Sequence, residues 1–138
     1  MNPVLVDTGF LVALYDRREP MHNVCLRIHN QIDSPLATCE GVIVEALHLL
    51  RSLPKAKQNI LKSIEEEILE IRFHLSESAA QIQALMKKYA DRPASFADAC
   101  LIQMADELET ADILTLDSDF RQYRWRRNRS FNLLIPLD

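Results

Sequence analysis

The stretch Val4-Leu5-Val6-Asp7-Thr8 constrains this chain most. An apolar run rich in β-branched residues stops abruptly at a carboxylate. A short continuous run of this kind reads as a strand buried on both faces. Such strands belong to parallel sheets that helices cover above and below. Asp7 then stands at the carboxyl end of the strand, the edge at which open α/β sheets bind ligands.

The rest of the chain repeats short apolar runs separated by helical periodicity. Residues 8–15 read as a short helix (Phe10, Leu11, Leu14), and Asp16-Arg17-Arg18-Glu19-Pro20 as a polar turn. Val24, Cys25, Ile28 and Ile32 recur at helical spacing over 22–32. Asp33-Ser34-Pro35 breaks that helix before a very short strand, Leu36-Ala37-Thr38. A helix over 39–52 follows, with Thr38 as its N-cap and Val42, Ala46, Leu49 and Leu50 inward. Pro54 opens another, with Ile60, Leu61, Ile64 and Ile68 on its apolar face. Residues 69–75 alternate with period two, a half-buried strand. Ser76 then caps a helix to about residue 89, with Ile82, Leu85, Met86 and Tyr89 on one face. Asp91-Arg92-Pro93 is a loop, and Ser95 caps a helix to about residue 109. Residues 113–116 form a buried strand ending at Asp117, and 131–135 a last strand. Strands separated by helices predict an α/β fold with a mostly parallel sheet of about five strands and helices on both faces.

With 138 residues, 48% hydrophobic and 26% charged, residues 1–138 are expected to form one domain with a real core. Gly9 and Gly41 are the only glycines, which excludes Gly-rich phosphate loops and dinucleotide fingerprints. A net charge of -4 excludes a chain that is basic throughout. Yet Arg121, Arg124, Arg126, Arg127 and Arg129 crowd one stretch, and a basic patch beside an acidic site suits a polyanion. Arginines 121, 124, 126 and 127 are candidate RNA-backbone contacts, with Tyr123 and Trp125 as stacking faces; the plainer reading is a solvated polar loop. Cys25, Cys39 and Cys100 lack metal or redox spacing and read as buried free thiols in a reducing cytosol. No secretory pattern and no apolar run of ~18 residues is present, so a cytoplasmic chain without membrane contact is expected.

The acids carry the chemistry. Glu45 lies mid-helix, three residues after Val42 and four before Leu49, in line with the expected apolar face. An ionised carboxylate there requires a partner or a metal; the plain alternative is a salt-bridged Glu at the margin. Asp98 completes a capping box with Ser95, yet precedes Leu101, Ile102 and Ala105 at buried-face spacing. Asp117 and Asp119 follow a core strand directly, where a helix cap competes with chemistry. Asp7 has the same alternative. Four carboxylates brought together raise one another's pKa unless a cation neutralises them. Oxygen-only ligation suits Mg²⁺ or Mn²⁺, and such ions support phosphodiester hydrolysis. Thr8 and Thr115 stand beside strand-end acids and are placed to hydrogen-bond a carboxylate. Among the histidines, none in HxxxH or HExxH spacing, only His22 falls near enough in sequence to edge the site.

These residues resemble the PIN-domain nucleases, most closely the VapC-type toxins of bacteria and their stand-alone relatives. The resemblance rests on residues 4–14, then 38–45, then Phe96-Ala97-Asp98-Ala99, then 114–120. It implies a three-layer PIN-like fold and a metal-dependent endoribonuclease with Asp7, Glu45, Asp98 and Asp117 as the acidic site. Asp119 would be an additional or alternative acid, and Thr8 and Thr115 would line the site. It also implies Mg²⁺ or Mn²⁺, an RNA substrate, a homodimer and an inhibiting antitoxin. Gly9 stands where Ser is frequent in the family, and Glu40 is a second-tier acid.

Two other acidic folds fail on sequence. A dehalogenase-type phosphatase needs an Asp two residues after Asp7, where Gly9 stands, and a receiver domain needs a late Lys, whereas none follows Lys88. The non-enzymatic alternative is a PIN-like module that binds RNA or protein without cutting.

Overall fold

The computed structural model describes residues 2–92 and 94–137. Strands β1 (Val4–Val6), β2 (Leu36–Thr38), β3 (Leu69–Ile71), β4 (Asp112–Leu114) and β7 (Asn132–Leu133) form one five-stranded sheet. A separate two-stranded hairpin joins β5 (Arg124–Trp125) to β6 (Arg129–Ser130). The helices are α1 (Thr8–Tyr15), α2 (His22–Gln31), α3 (Glu40–Leu49), α4 (Pro54–Glu65), α5 (Leu75–Lys88) and α6 (Phe96–Leu108), with a 3-10 turn at Ser118–Arg121.

The five strands lie in the order β3-β2-β1-β4-β7, and every neighbouring pair is parallel. The chain steps outward from β1 to β2 to β3, then returns to the other side of β1 as β4. Because such crossovers are right-handed, α1 to α4 cover one face and α5 and α6 the other, a three-layer α/β arrangement. The reversal opens a crevice at the carboxyl ends of β1 and β4, the switch point where α/β sheets bind. Val4, Leu5, Val6, Ile113 and Leu114 are all buried, as continuous apolar strands must be between two helical layers. Asp7 N–H donates to Leu114 O at 3.0 Å, locking the two acid-bearing strand ends in register.

Several sequence expectations are corrected. Thr38 does not cap α3: it is a strand residue whose Oγ1 donates to Val6 O at 2.7 Å, and Cys39 takes the cap position. The strand at 69–75 ends at Ile71. Phe73 is still buried, but Leu75 opens α5 and faces out, because the edge strand stops where His74 takes the N-cap. Ser76 therefore lies inside the first turn and does not cap it. Leu49, Leu61, Ile68 and Met86 are exposed, not inward. The last strand is confined to Asn132–Leu133, and the basic stretch expected as loop contains a hairpin. Pro93 of the expected loop lies outside the described residues. The three cysteines are buried and free, and among the described residues no helix is long and apolar enough to cross a membrane.

Candidate active site

Each of the three aspartates is fixed first by local backbone chemistry. Asp7 is the N-cap of α1, its Oδ1 accepting the Thr8 N–H at 2.7 Å. Asp98 closes a capping box: Ser95 Oγ accepts the Asp98 N–H at 3.0 Å, and Asp98 Oδ2 accepts the Ser95 N–H at 3.2 Å. Asp117 caps the 3-10 turn, accepting the Asp119 N–H at 2.9 Å. All three capping roles are thus real, and they hold the carboxylates in defined orientations.

The switch-point topology brings the three capped acids together. One carboxylate oxygen from each of Asp7, Asp98 and Asp117 lies within 4.8 Å of the others. They line a cleft of about 520 Å³ with Thr8, Gly9, Glu45, Ser95 and Leu116. Among the described residues no basic side chain lines it, so the acids have no counter-charge within the cleft. Burial pushes the Asp7 carboxyl up to about 7. The negative charges of Asp98 and Asp117 add to this, while hydrogen bonds from Thr115 and Thr8 oppose it. Burial and the charge of Asp117 also raise Asp98. Such a cluster stabilises a bound cation, and carboxylate oxygens suit a hard divalent one.

The two threonines are wired into the cluster. Thr115 Oγ1 donates to Asp7 Oδ2 at 2.7 Å and accepts the Asp117 N–H at 3.0 Å, bridging two of the acids. Thr8 Oγ1 donates to Glu45 Oε1 at 2.9 Å. Glu45 therefore lines the cleft, but not from a buried position: it is exposed. The buried residues of α3 are Val42, Ile43 and Ala46, followed by Leu50. At 100° per residue Glu45 lies roughly 115° from the middle of that stripe. Assigning Leu49 inward and overlooking Ile43 had moved the stripe toward it. Glu45 is outside the three-acid cluster.

Asp119 is exposed and outside both the cluster and the cleft lining, as is Glu40 at the start of α3. His22 does not edge the cleft; its Nδ1 lies 2.8 Å from Ala13 O. Tyr123 and Trp125 are 1% and 5% exposed, so neither is an open stacking face. Tyr123 sits edge-on to Phe120 and Tyr89, and its hydroxyl donates to Asp98 Oδ2 at 3.2 Å. That contact with the cluster was missed in the sequence. Its one available signal was the i, i+3 spacing of Phe120 and Tyr123 across a tight turn.

The arginines divide. Arg124 Nη1 donates to Arg121 O and Tyr123 O, and Arg121 donates to Leu137 O. Arg126 pairs with Asp106 at 2.9 Å and Glu109 at 2.8 Å. Arg127 has no such partner among the described residues.

Ribonuclease VapC26 of Mycobacterium tuberculosis is 27% identical over 136 residues, 97% of this chain and 93% of that protein. The crystal structure of Mycobacterium tuberculosis VapC20, a Sarcin-Ricin loop cleaving toxin, matches with a TM-score of 0.80. It covers 91% of this chain and 98% of that one at 20% identity, a likeness of fold. The description that fits the chain as a family is the PIN domain, over residues 4–126. That span holds every acid of the cleft and all of the main sheet but its last strand, so the chain belongs to the PIN domain family.

Proposed function

We propose that this chain, folded as one domain, is a divalent-metal-dependent endoribonuclease that hydrolyses RNA phosphodiester bonds. The observation that carries the reading is the approach of Asp7, Asp98 and Asp117 to within 4.8 Å, without a basic residue in the cleft. Family membership and the name of the 27%-identical ribonuclease support it. The three aspartates would hold Mg²⁺ or Mn²⁺. When bound, such an ion lowers the pKa of an attacking water and stabilises the leaving oxygen. The chain's own residues do the rest. Thr115 orients Asp7, Tyr123 and Ser95 orient Asp98, and Thr8 fixes Glu45 through Oε1, leaving Oε2 to take the water proton. Asp119, two residues after Asp117, serves as an outer acid. Arg121, Arg124, Arg126 and Arg127 supply positive charge for the RNA backbone, with Arg127 the most available.

By the same reading the chain is the cytoplasmic toxin of a toxin–antitoxin pair and acts as a homodimer. Exposed Val44 and Phe96 beside Glu45 give the acidic cleft an apolar border, a surface that suits a covering partner. The test is cleavage of single-stranded RNA by purified protein with Mg²⁺ or Mn²⁺, with chelator, and with Asp98→Asn or Asp117→Asn. Cleavage lost with chelator and reduced at least a hundredfold in each variant is the expected result. Undiminished cleavage in both variants refutes the assignment.

A further inference from the structure

A second cavity, of about 380 Å³, lies between α5, α6 and β5, away from the acidic cleft. Small-molecule sites run from about 300 to 1,000 Å³, so its size is that of a compact ligand. Its apolar lining is Ile102 and Trp125, which are buried, with Leu85 and the exposed Ala84 nearer solvent. Its rim carries Lys88, Arg124, Arg126 and Arg127 against one acid, Asp106, which Arg126 already occupies.

Two observations go beyond this outline. Gln103 lines the cavity and is 8% exposed, yet its amide has no hydrogen-bond partner among the described residues. Among the described residues only His29 Nδ1 is both shut off from water and unpartnered, so the Gln103 amide keeps contact with solvent and is free to meet a ligand in the cavity. Moreover, Arg126 and Arg127 hold φ angles of 44° and 71°. Side-chain-bearing residues adopt that region at a cost of about 1–2 kcal/mol each. The hairpin thus keeps a free guanidinium at the rim in a turn that Asn or Gly would form more easily.

We propose that this cavity is a subsite for one nucleotide of the RNA strand. The base lies on the apolar lining of Ala84, Leu85 and Ile102 beside the buried Trp125, the Gln103 amide meets its hydrogen-bonding edge, and Lys88 and Arg127 hold the adjoining phosphate. A side-chain amide presents a donor and an acceptor together, which is how unstacked bases are read. Phosphate contacts position the strand, and the amide adds preference for a base. Gln103 follows Asp98 on α6 by five residues, about 7.5 Å along the helix axis at 1.5 Å per residue. Five residues also turn about 140° around the helix, so a strand that crosses over α6, not one running straight along it, meets both places. The identity of the ligand as an RNA strand rests on the ribonuclease reading; occupancy by a nucleotide does not require cleavage.

Trp125 is the only tryptophan, so its emission reports on this cavity alone. The four nucleoside 5′-monophosphates, inorganic phosphate and a short single-stranded oligoribonucleotide are titrated into the full chain without divalent metal. Saturable changes with the nucleotides and the oligonucleotide, base-dependent affinities, and no saturable change with phosphate alone are expected. Gln103→Leu should bring the four affinities to a common value. The exposed pair Lys88→Ala/Arg127→Ala should weaken all four alike by about tenfold, equivalent to about 1.4 kcal/mol. No saturable change with any nucleotide or with the oligonucleotide overturns the proposal. So does a response to phosphate equal to that of the nucleotides, or base preference unchanged in Gln103→Leu. RNA cleavage measured on the same preparations separates the two readings. Cleavage without a Trp125 response removes this subsite and leaves the nuclease; a response without cleavage does the opposite.

Discussion

Replacing Asp7 by Asn should stabilise the metal-free protein while abolishing its activity, and the gain should depend on pH. In the folded chain the carboxyl is raised from 3.8 to about 7, chiefly by burial. Below about pH 4 it is protonated in both folded and unfolded chains, and burial carries little penalty. Between about pH 4 and 7 the unfolded chain releases the proton and the folded chain retains it, so stability falls as pH rises. Above about pH 7 both are ionised and the penalty is constant, at about 4 kcal/mol from about 1.4 kcal/mol per pH unit. Asn carries no charge and escapes that penalty. Its single oxygen keeps one of the two hydrogen bonds that Asp7 accepts from Thr8 and Thr115. Loss of the other costs about 1 kcal/mol. The net gain is therefore about 3 kcal/mol at about pH 8, and it vanishes or reverses near pH 4. Urea unfolding in chelator reads this directly. With a slope of about 2 kcal/mol per molar, the midpoint at about pH 8 rises by about 1.5 M. A variant whose midpoint follows the wild type in parallel from pH 4 to 8 would show that Asp7 is not a buried carboxyl under strain. Activity lost without any stability gain would point the same way.

Divalent metal should cancel the same penalty. Mg²⁺ or Mn²⁺ at 100 times its dissociation constant should stabilise the wild type by about 2.7 kcal/mol, seen as a raised Tm, with little effect on Asp7→Asn or Asp98→Asn; equal rises in all three would place the ion elsewhere. Tyr123→Phe removes one hydrogen bond to Asp98 and should lower the cleavage rate about fivefold, equivalent to about 1 kcal/mol, with a change in apparent Asp98 pKa in the pH–rate profile; an unaltered profile would make Tyr123 a packing residue only. Gly9→Ser should fold normally, because a Cβ there sits 3.8 Å from Leu116 Cβ, an ordinary contact. It should gain up to about 1 kcal/mol from the loss of helical glycine, and a drop in Tm would mean that the cleft has no room for the hydroxyl.

Strand positions and the three aspartates were legible because their signals are local. Val4-Leu5-Val6 and Ile113-Leu114 are apolar on both sides, and the acid that ends each run has nowhere to go but the sheet edge. Ser95 and Asp98 announce their capping box at fixed spacing. Glu45 shows the limit: ten residues of helix do not define the buried stripe when one exposed Leu49 is counted and one buried Ile43 is not. Which apolar residues face inward depends on neighbours far away in sequence, and Leu61, Ile68 and Met86 were misassigned for that reason. Trp125 and Tyr123 lie in a run of arginines whose charge suggests solvent. Tyr123 is buried edge-on against Phe120 and Tyr89, and Trp125 lies in the hairpin beneath the guanidinium groups of Arg126 and Arg129, which themselves stay exposed. Gln103 gave no sign in sequence, since a glutamine in a helix is ordinary until its surroundings are known.

The bond from Thr115 to Asp7 spans 108 residues. It follows from a sheet whose two central strands come from opposite ends of the chain. During synthesis α1 to α6 are made before β4, so a chain that stops short of β4 holds Asp7 and Asp98 but not Asp117, and the three-acid cluster is incomplete. The three-acid cluster can form only after both Asp98 and Asp117 emerge. On the proposed nuclease reading, strand order alone sets a delay before the site is complete. Nascent chains arrested before Ile113 should lack cleavage, while those that carry residues 1–138 clear of the ribosome should have it.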